Sequence, residues 1–241
     1  MKILPIRIPL IVLVFILTIN TAYSQRAEVV YKNKDYKAAR KGRFFDIIHD
    51  SLDISNHPLI AKLEGFSLNA GKQNLQNIFN SFYYNANELG ANSFKIDTII
   101  GARTDSVTIL LSIYCISKKE RKLNLSLFSG NSIYLFGSLK AGSEVQTIKL
   151  NDEKTKINPL VYFEFLLEEG EKLKINLGGT MGETKFFFGS EASKPIYVSL
   201  SGITIGYGYN GSNSIGYNVG RINTIGSNFG NLLILVLKKG N

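Results

Sequence analysis

The chain predicts an α+β protein: a small βαββ two-layer unit followed by an antiparallel β-sandwich. Three observations predict it. One apolar stripe with helical spacing lies between runs that read as strands. Beyond position 118 helical spacing gives way to short alternating runs about ten residues apart. The composition suits a packed core: 241 residues, 44% hydrophobic and 20% charged, with one Cys and no Trp. Such a chain is neither a disordered acidic polymer nor a disulfide-rich mini-protein nor a multi-span membrane protein. Two His and one Cys are thin material for a metal cage, so no metal or cofactor is expected.

Residues 1–24 have the pattern of a secretory leader. Lys2 and Arg7 supply a positive start, Ile8 to Ile19 is uncharged and mostly apolar, and Ala22-Tyr23-Ser24 places small residues around a cleavage point. At ~1.5 Å per residue the apolar run covers about 18 Å of a roughly 30 Å hydrocarbon layer. Cleavage before Gln25 is therefore expected rather than anchoring. No Cys follows to carry a lipid. The mature chain is expected in the periplasm, at the outer membrane or secreted.

Residues 25–43 form a basic segment, expected to be flexible. Arg26, Lys32, Lys34, Lys37, Arg40, Lys41 and Arg43 outnumber Glu28 and Asp35, and the whole chain carries a net charge of +9. In the cell envelope Lys32, Lys34, Lys37, Arg40, Lys41 and Arg43 are candidate contacts for anionic lipid, an acidic glycan or a protein. Nucleic acid is not an expected partner of an exported chain.

Residues 44–117 carry the α/β pattern. Arg43 to Asp53 is an ambiguous edge strand and Leu59 to Phe66 a clearer one. Leu75, Ile78, Phe79, Phe82, Ala86 and Leu89 then form one stripe of a helix over about 71–89, with Asn69 as N-cap and Gly90 as stop. Ser93 to Ile100 and Asp105 to Ile116 complete the sheet that the stripe must cover. Alternation places Val107, Ile109, Leu111, Ile113 and Cys115 on one face, so Cys115 reads as a buried structural thiol.

The stretch Ala86-Asn-Glu-Leu-Gly-Ala-Asn-Ser-Phe94 resembles the A-x-x-L-G-A-N-A signature of small bacterial βαβ domains. These include YbjQ-like domains, described as heavy-metal-binding, and the core of an outer-membrane stress-sensor lipoprotein. The resemblance covers roughly Leu59 to Ile116, about a quarter of the chain. It implies a two-layer α/β fold and, in the sensor case, envelope stress sensing. With one Cys and no lipid-anchor Cys here, metal binding is not carried over.

Residues 118–241 read as strands alone. Lys118-Lys-Glu-Arg-Lys122 is a charged linker or turn, and Leu123 to Leu127 and Ile133 to Phe136 are short strands. Val161 to Leu167, a turn at Glu168 to Glu171, and Leu173 to Leu177 read as a hairpin. Thr184 to Phe188 and Ile196 to Leu200 follow. The order of Ile133-Tyr-Leu-Phe-Gly137, Val161-Tyr-Phe-Glu-Phe165, Glu169-Gly-Glu171 and Lys194-Pro-Ile-Tyr-Val198 resembles PEGA-type surface β-sandwich modules. That resemblance implies a binding or architectural role with no catalytic residues.

In the loop 205–231, 13 of 27 residues are Gly or Asn, and an Ile-Gly motif recurs every ten residues at 205, 215 and 225. Tyr207, Tyr209, Tyr217, Asn210 and Asn218 are candidate ligand contacts, because aromatic faces beside amides suit a glycan or a peptide. Leu232 to Leu237 reads as a closing apolar strand. Neither a phosphate loop nor a nucleophile elbow occurs. His49 and His57 with Asp46, Asp50 or Asp53 are the nearest approach to an acid–base or metal cluster, and surface His beside Asp is commonplace. The expected role is a non-catalytic structural or interaction protein of the cell envelope; a hydrolase or redox role would need an exposed, acidic Cys115.

Overall fold

The computed structural model describes residues 27–38, 44–68, 72–101, 106–128, 130–139, 143–177, 183–190, 194–200 and 221–240. The leader lies outside them. Among the described residues the chain is mostly β, with three helices and three sheets.

The first sheet has the order β1 (Ala27–Lys32), β3 (Ala61–Leu68), β5 (Ser106–Tyr114), β4 (Ser93–Ile100) and β2 (Asp46–Ile47). All neighbours are antiparallel except β2, which runs parallel to β4. Helix α1 (Lys72–Glu88) covers one face and buries Leu75, Ile78, Phe82 and Ala86 completely, as the stripe requires. The helix lies so close to β3 that a Cβ on Gly65 would stand 2.5 Å from Ile78 and 2.7 Å from Phe82. Gly90 stops the helix at φ 79°, a left-handed conformation that costs glycine little.

Four expectations for the second half are corrected. The charged run at Lys118 opens helix α2 (Lys118–Leu127), and so Leu123 to Leu127 is no strand. Ser117 caps it: its hydroxyl accepts from the Glu120 amide and Glu120 returns a bond to the Ser117 amide. Leu232 to Leu237 is likewise largely helical, in α3 (Ser227–Val236). Its buried Phe229, Leu232, Leu233 and Val236 sit at i, i+3, i+4 and i+7, a stripe whose last three members are hidden inside the unbroken apolar run of Leu232 to Leu237.

The third correction concerns pairing. A second sheet has the order β11 (Thr184–Phe188), β10 (Lys172–Asn176), β7 (Gln146–Leu150) and β8 (Glu153–Ile157). A third has β13 (Asn223–Thr224), β12 (Ile196–Ser199), β6 (Ser132–Phe136), β9 (Val161–Leu166) and β14 (Lys238–Lys239). The expected hairpin of β9 with β10 therefore does not form; its turn carries the chain from one sheet to another. Alternation fixes which face a residue takes and leaves the partner strand open. Fourth, the strands are not all antiparallel, since β12 runs parallel to β6 and β14 parallel to β9. A hairpin absent from the sequence-based expectation joins β7 to β8 through Asn151 and Asp152, both at positive φ, as a two-residue turn of primed type needs.

Two large cores result. The second and third sheets share one, with Ile133, Leu135, Ile148, Ile157, Ile175 and Val198 among its members. The other joins the two halves: Phe79 and Phe94 of the first sheet layer belong to the same cluster as Phe136, Tyr162 and Tyr197 of the third sheet and Phe229 of α3. Phe79 and Phe229 pack ring to ring with 5.4 Å between their centroids, and Phe79 also meets Phe45 at 5.8 Å and Phe94 at 6.2 Å.

Candidate functional site

The two halves meet along one margin of the first sheet. Strand β2 is registered only against Ser93 and Phe94 of β4, with Asp46 N donating to Asn92 O at 3.1 Å and Ile48 N to Phe94 O at 2.8 Å. Its outer side is closed by amide side chains. Ile47 N donates to Asn228 Oδ1 at 3.1 Å, Asn124 Nδ2 to Ile47 O at 2.8 Å, and His49 N to Asn124 Oδ1 at 2.8 Å. Asn124 is fully buried to do this. The Asp46 carboxylate accepts from Asn228 Nδ2 at 3.0 Å and from Arg121 Nε, and the Arg121 guanidinium lies 3.7 Å over the Phe44 ring.

The L-G-A-N segment has a similar task. Ala91 is fully buried under α1, and the Asn92 side chain pairs with both main-chain groups of Ile116, accepting its N–H at 2.9 Å and donating to its carbonyl at 2.8 Å. The amide thereby holds the chain just past β5 as a strand neighbour would. The contacts of this segment are structural, and Asn92 is the residue whose role only geometry reveals.

Beyond Phe94 the margin changes character. A cleft of about 580 Å³ opens beside Lys95 to Ile99 of β4, between the His49–Asp50 turn and the last turn of α3. Its apolar walls include Ile96, Ile99, Phe128, Ile234 and Leu235, and Leu235 is 48% exposed. Its charged groups are engaged with neighbours. Lys95 pairs with Asp50 at 3.4 Å, and Asp97 accepts from Ser112 Oγ at 2.7 Å and meets Lys62 Nζ at 3.2 Å. His49 Nδ1 accepts from Ser51 N at 3.1 Å, so the neutral ring carries its proton on Nε2; the ring stands edge-on to Phe128. Asn231 Oδ1 accepts from Tyr197 OH at 2.6 Å. Tyr134 stacks on Tyr197 at 5.3 Å and donates to Glu164 at 2.9 Å; burial and that carboxylate push its pKa up to about 12. The lining is thus an apolar surface edged by satisfied polar groups, which suits binding.

The residues singled out from the sequence fare unevenly. Tyr207, Tyr209, Tyr217, Asn210 and Asn218 lie outside the described residues, as do Arg40, Lys41 and Arg43. Lys32, Lys34 and Lys37 are exposed, but the basic segment around them is not a free tail: residues 27–32 are β1, and Asn33 then pins the turn through Ile60 O at 2.9 Å and Leu59 O at 3.0 Å. His57 pairs with Glu120 at 2.9 Å, apart from His49. Among the described residues no group of three His, Cys, Asp or Glu side chains is placed to hold a metal.

Cys115 corrects a further expectation. It is exposed, because β5 ends at Tyr114 and the alternation that buries Ile109, Leu111 and Ile113 stops there. Its hydrogen-bonding neighbour is Tyr36, whose phenol is held above its usual pKa by burial and by the thiol. Within the described residues no helix is long and apolar enough to cross a membrane. Comparison of the chain with protein-family models, curated proteins and solved structures finds no match.

Proposed function

We propose that the chain is an exported, non-catalytic interaction module of the cell envelope, and that the cleft between β4 and α3 is its contact surface. The observation that carries this reading is the engagement of the cleft's titratable side chains. Asp50 is spent on Lys95, Asp97 on Lys62 and Ser112, Tyr134 on Glu164, and His49 Nδ1 on the Ser51 amide. General acid–base or nucleophilic catalysis needs such groups poised toward a substrate, with pKa values drawn toward the working pH. Tyr134 is pushed the other way. An apolar wall with Leu235 exposed beside it favours contact with another molecule. Export rests on the leader pattern of residues 1–24; the second and third sheets, sharing one core, serve as a sandwich-like support, and α3 packs in the core that joins the third sheet to Phe94 of β4.

Two measurements test the reading. Fractionation with intact mass is expected to find a chain beginning at Gln25 outside the cytoplasm; the full 26.8 kDa chain in the cytosol refutes export. A photo-crosslinking residue at Leu235 is expected to form adducts in cells that one at Phe188, exposed on β11, does not. Equal adducts at both positions remove the cleft as the contact surface.

A further inference from the structure

We infer that the ligand of the cleft is an extended peptide segment of a partner protein, added to β4 as a strand. The inference rests on the cleft being the contact surface and goes further by assigning the chemistry of its occupant.

The main chain of β4 states what is missing. Phe94 O accepts from Ile48 N, so by strand alternation Lys95 faces β5 and Ile96 faces outward. After the bulge at Asp97, Thr98 is paired with Leu110, which places the main-chain groups of Ile99 outward as well. Strand β2 stops opposite Phe94, and among the described residues no strand continues beyond it along Lys95 to Ile100. The outward N–H and C=O groups of Ile96 and Ile99 therefore adjoin the cleft. Groups in that arrangement are matched in spacing and direction by another strand, which is how edge addition gains affinity. The same edge already accepts a strand in β2.

The side chains fit that occupant. Five residues from Lys95 to Ile99 span about 16 Å at roughly 3.3 Å each. On a strand laid there, alternate side chains would meet Ile234, Leu235 and Phe128, while the others would face the Lys95–Asp50 rim. A charge at an edge strand ordinarily guards it against pairing. Asp97 does not: its carboxylate reaches back across the sheet to Ser112 and Lys62, and the Lys95 ammonium is drawn aside to Asp50 at the rim. The bulge interrupts the margin and favours a short segment over indefinite stacking.

The test uses the chain as its host processes it, isotope-labelled, and an amidated heptapeptide alternating valine with threonine. The control is the same peptide N-methylated at alternate residues, which keeps the side chains and removes half of the donors. With the first peptide, amide exchange at Ile96 and Ile99 is expected to slow at least tenfold, with methyl shifts at Ile234 and Leu235. Leu235→Asp, at an exposed position, is expected to weaken binding about tenfold without altering the thermal midpoint. Equal methyl shifts with both peptides and unchanged exchange at Ile96 and Ile99 would overturn strand addition while leaving the cleft as a contact surface. Slowed exchange at β1 instead, or no shifts with either peptide at millimolar concentration, also overturns it. Slowed exchange that rises with protein concentration alone, in step with a dimer, would make a second copy the occupant and refute the partner peptide.

Discussion

Within eight residues, one margin of the first sheet is treated in two ways. Where β2 runs, its outer side is closed by Asn124 and Asn228, and the Asp46–Arg121 pair pins the helices that bring them. Along Lys95 to Ile99 the margin borders a cleft walled by Ile234 and Leu235. A closed edge has to satisfy main-chain groups without a strand, and here the side-chain amides do so, having both a donor and an acceptor. The difference teaches that, among the described residues, side-chain amides close this edge along β2 and do not reach it along Lys95 to Ile99.

The largest way to break the contrast is to remove a closing amide. Asn124→Ala deletes two hydrogen bonds at once and leaves Ile47 O, which is buried, and His49 N, which is half-buried, without their partner. Each such orphan costs about 1–3 kcal/mol, so a loss of roughly 2–4 kcal/mol is expected from urea denaturation. Ser126→Ala, two residues on and exposed, should change stability by less than about 0.5 kcal/mol. Equal effects of the two would mean that the β2 edge is not held by Asn124.

Next comes the ion pair behind the amides. Asp46 is buried and accepts from Arg121 and Asn228 together, so Asp46→Ala frees a guanidinium that still has some contact with water. An intermediate loss of about 1–3 kcal/mol is expected, below the 3–5 kcal/mol of a fully buried pair. A double-mutant cycle with Arg121→Met measures their coupling; additivity would show that the pair contributes nothing beyond packing.

The capping box that orients α2 gives a smaller, pH-dependent effect. Bonds from Ser117, with His57 adding a third, hold the Glu120 carboxyl down to about 2 from an ordinary 4.5. A carboxyl depressed by folding stabilises the folded state above its unfolded pKa and loses that contribution as pH falls through the folded one. The stability difference between the wild-type chain and Glu120→Gln should therefore be full above about pH 4.5 and fade toward pH 2. A difference that is constant from pH 6 to pH 2.5 would assign the effect to geometry alone.

The same contrast explains what could be read in the chain and what could not. Helix α1 was legible because its six apolar positions repeat at 3.6 residues and its stop is a glycine, both local facts. Helix α2 had a local signal too, Ser117 three residues before Glu120, but the charge run beside it suggested a linker. In α3 three of the four stripe residues, Leu232, Leu233 and Val236, lay inside a continuous apolar stretch, where strand and helix patterns coincide. The candidate site was illegible for a different reason. Asn124 and Asn228 are 75 or more residues from the main-chain groups they satisfy, and nothing in a lone asparagine reveals its partner. The cleft forms only where β4, α2 and α3 converge, so it has no sequence motif of its own.

The smallest expected effect on stability is at Leu235, and it sharpens the comparison most. Leu235 follows Ile234 in the last turn of α3 yet is half exposed, whereas its neighbours Leu233 and Val236 are buried. A leucine kept only for packing would resist replacement by aspartate, at about 1.5–3 kcal/mol for a fully buried side chain. At half exposure a surface-like change within about 0.5 kcal/mol is expected. Thermal unfolding of Leu235→Asp reads this directly. An unchanged midpoint would show that the folded chain does not need this apolar group, and its place in the cleft wall would then answer to what the cleft contacts. A loss as large as that of Asn124→Ala would show instead that Leu235 supports the fold, and the open part of the margin would be as structural as the closed part.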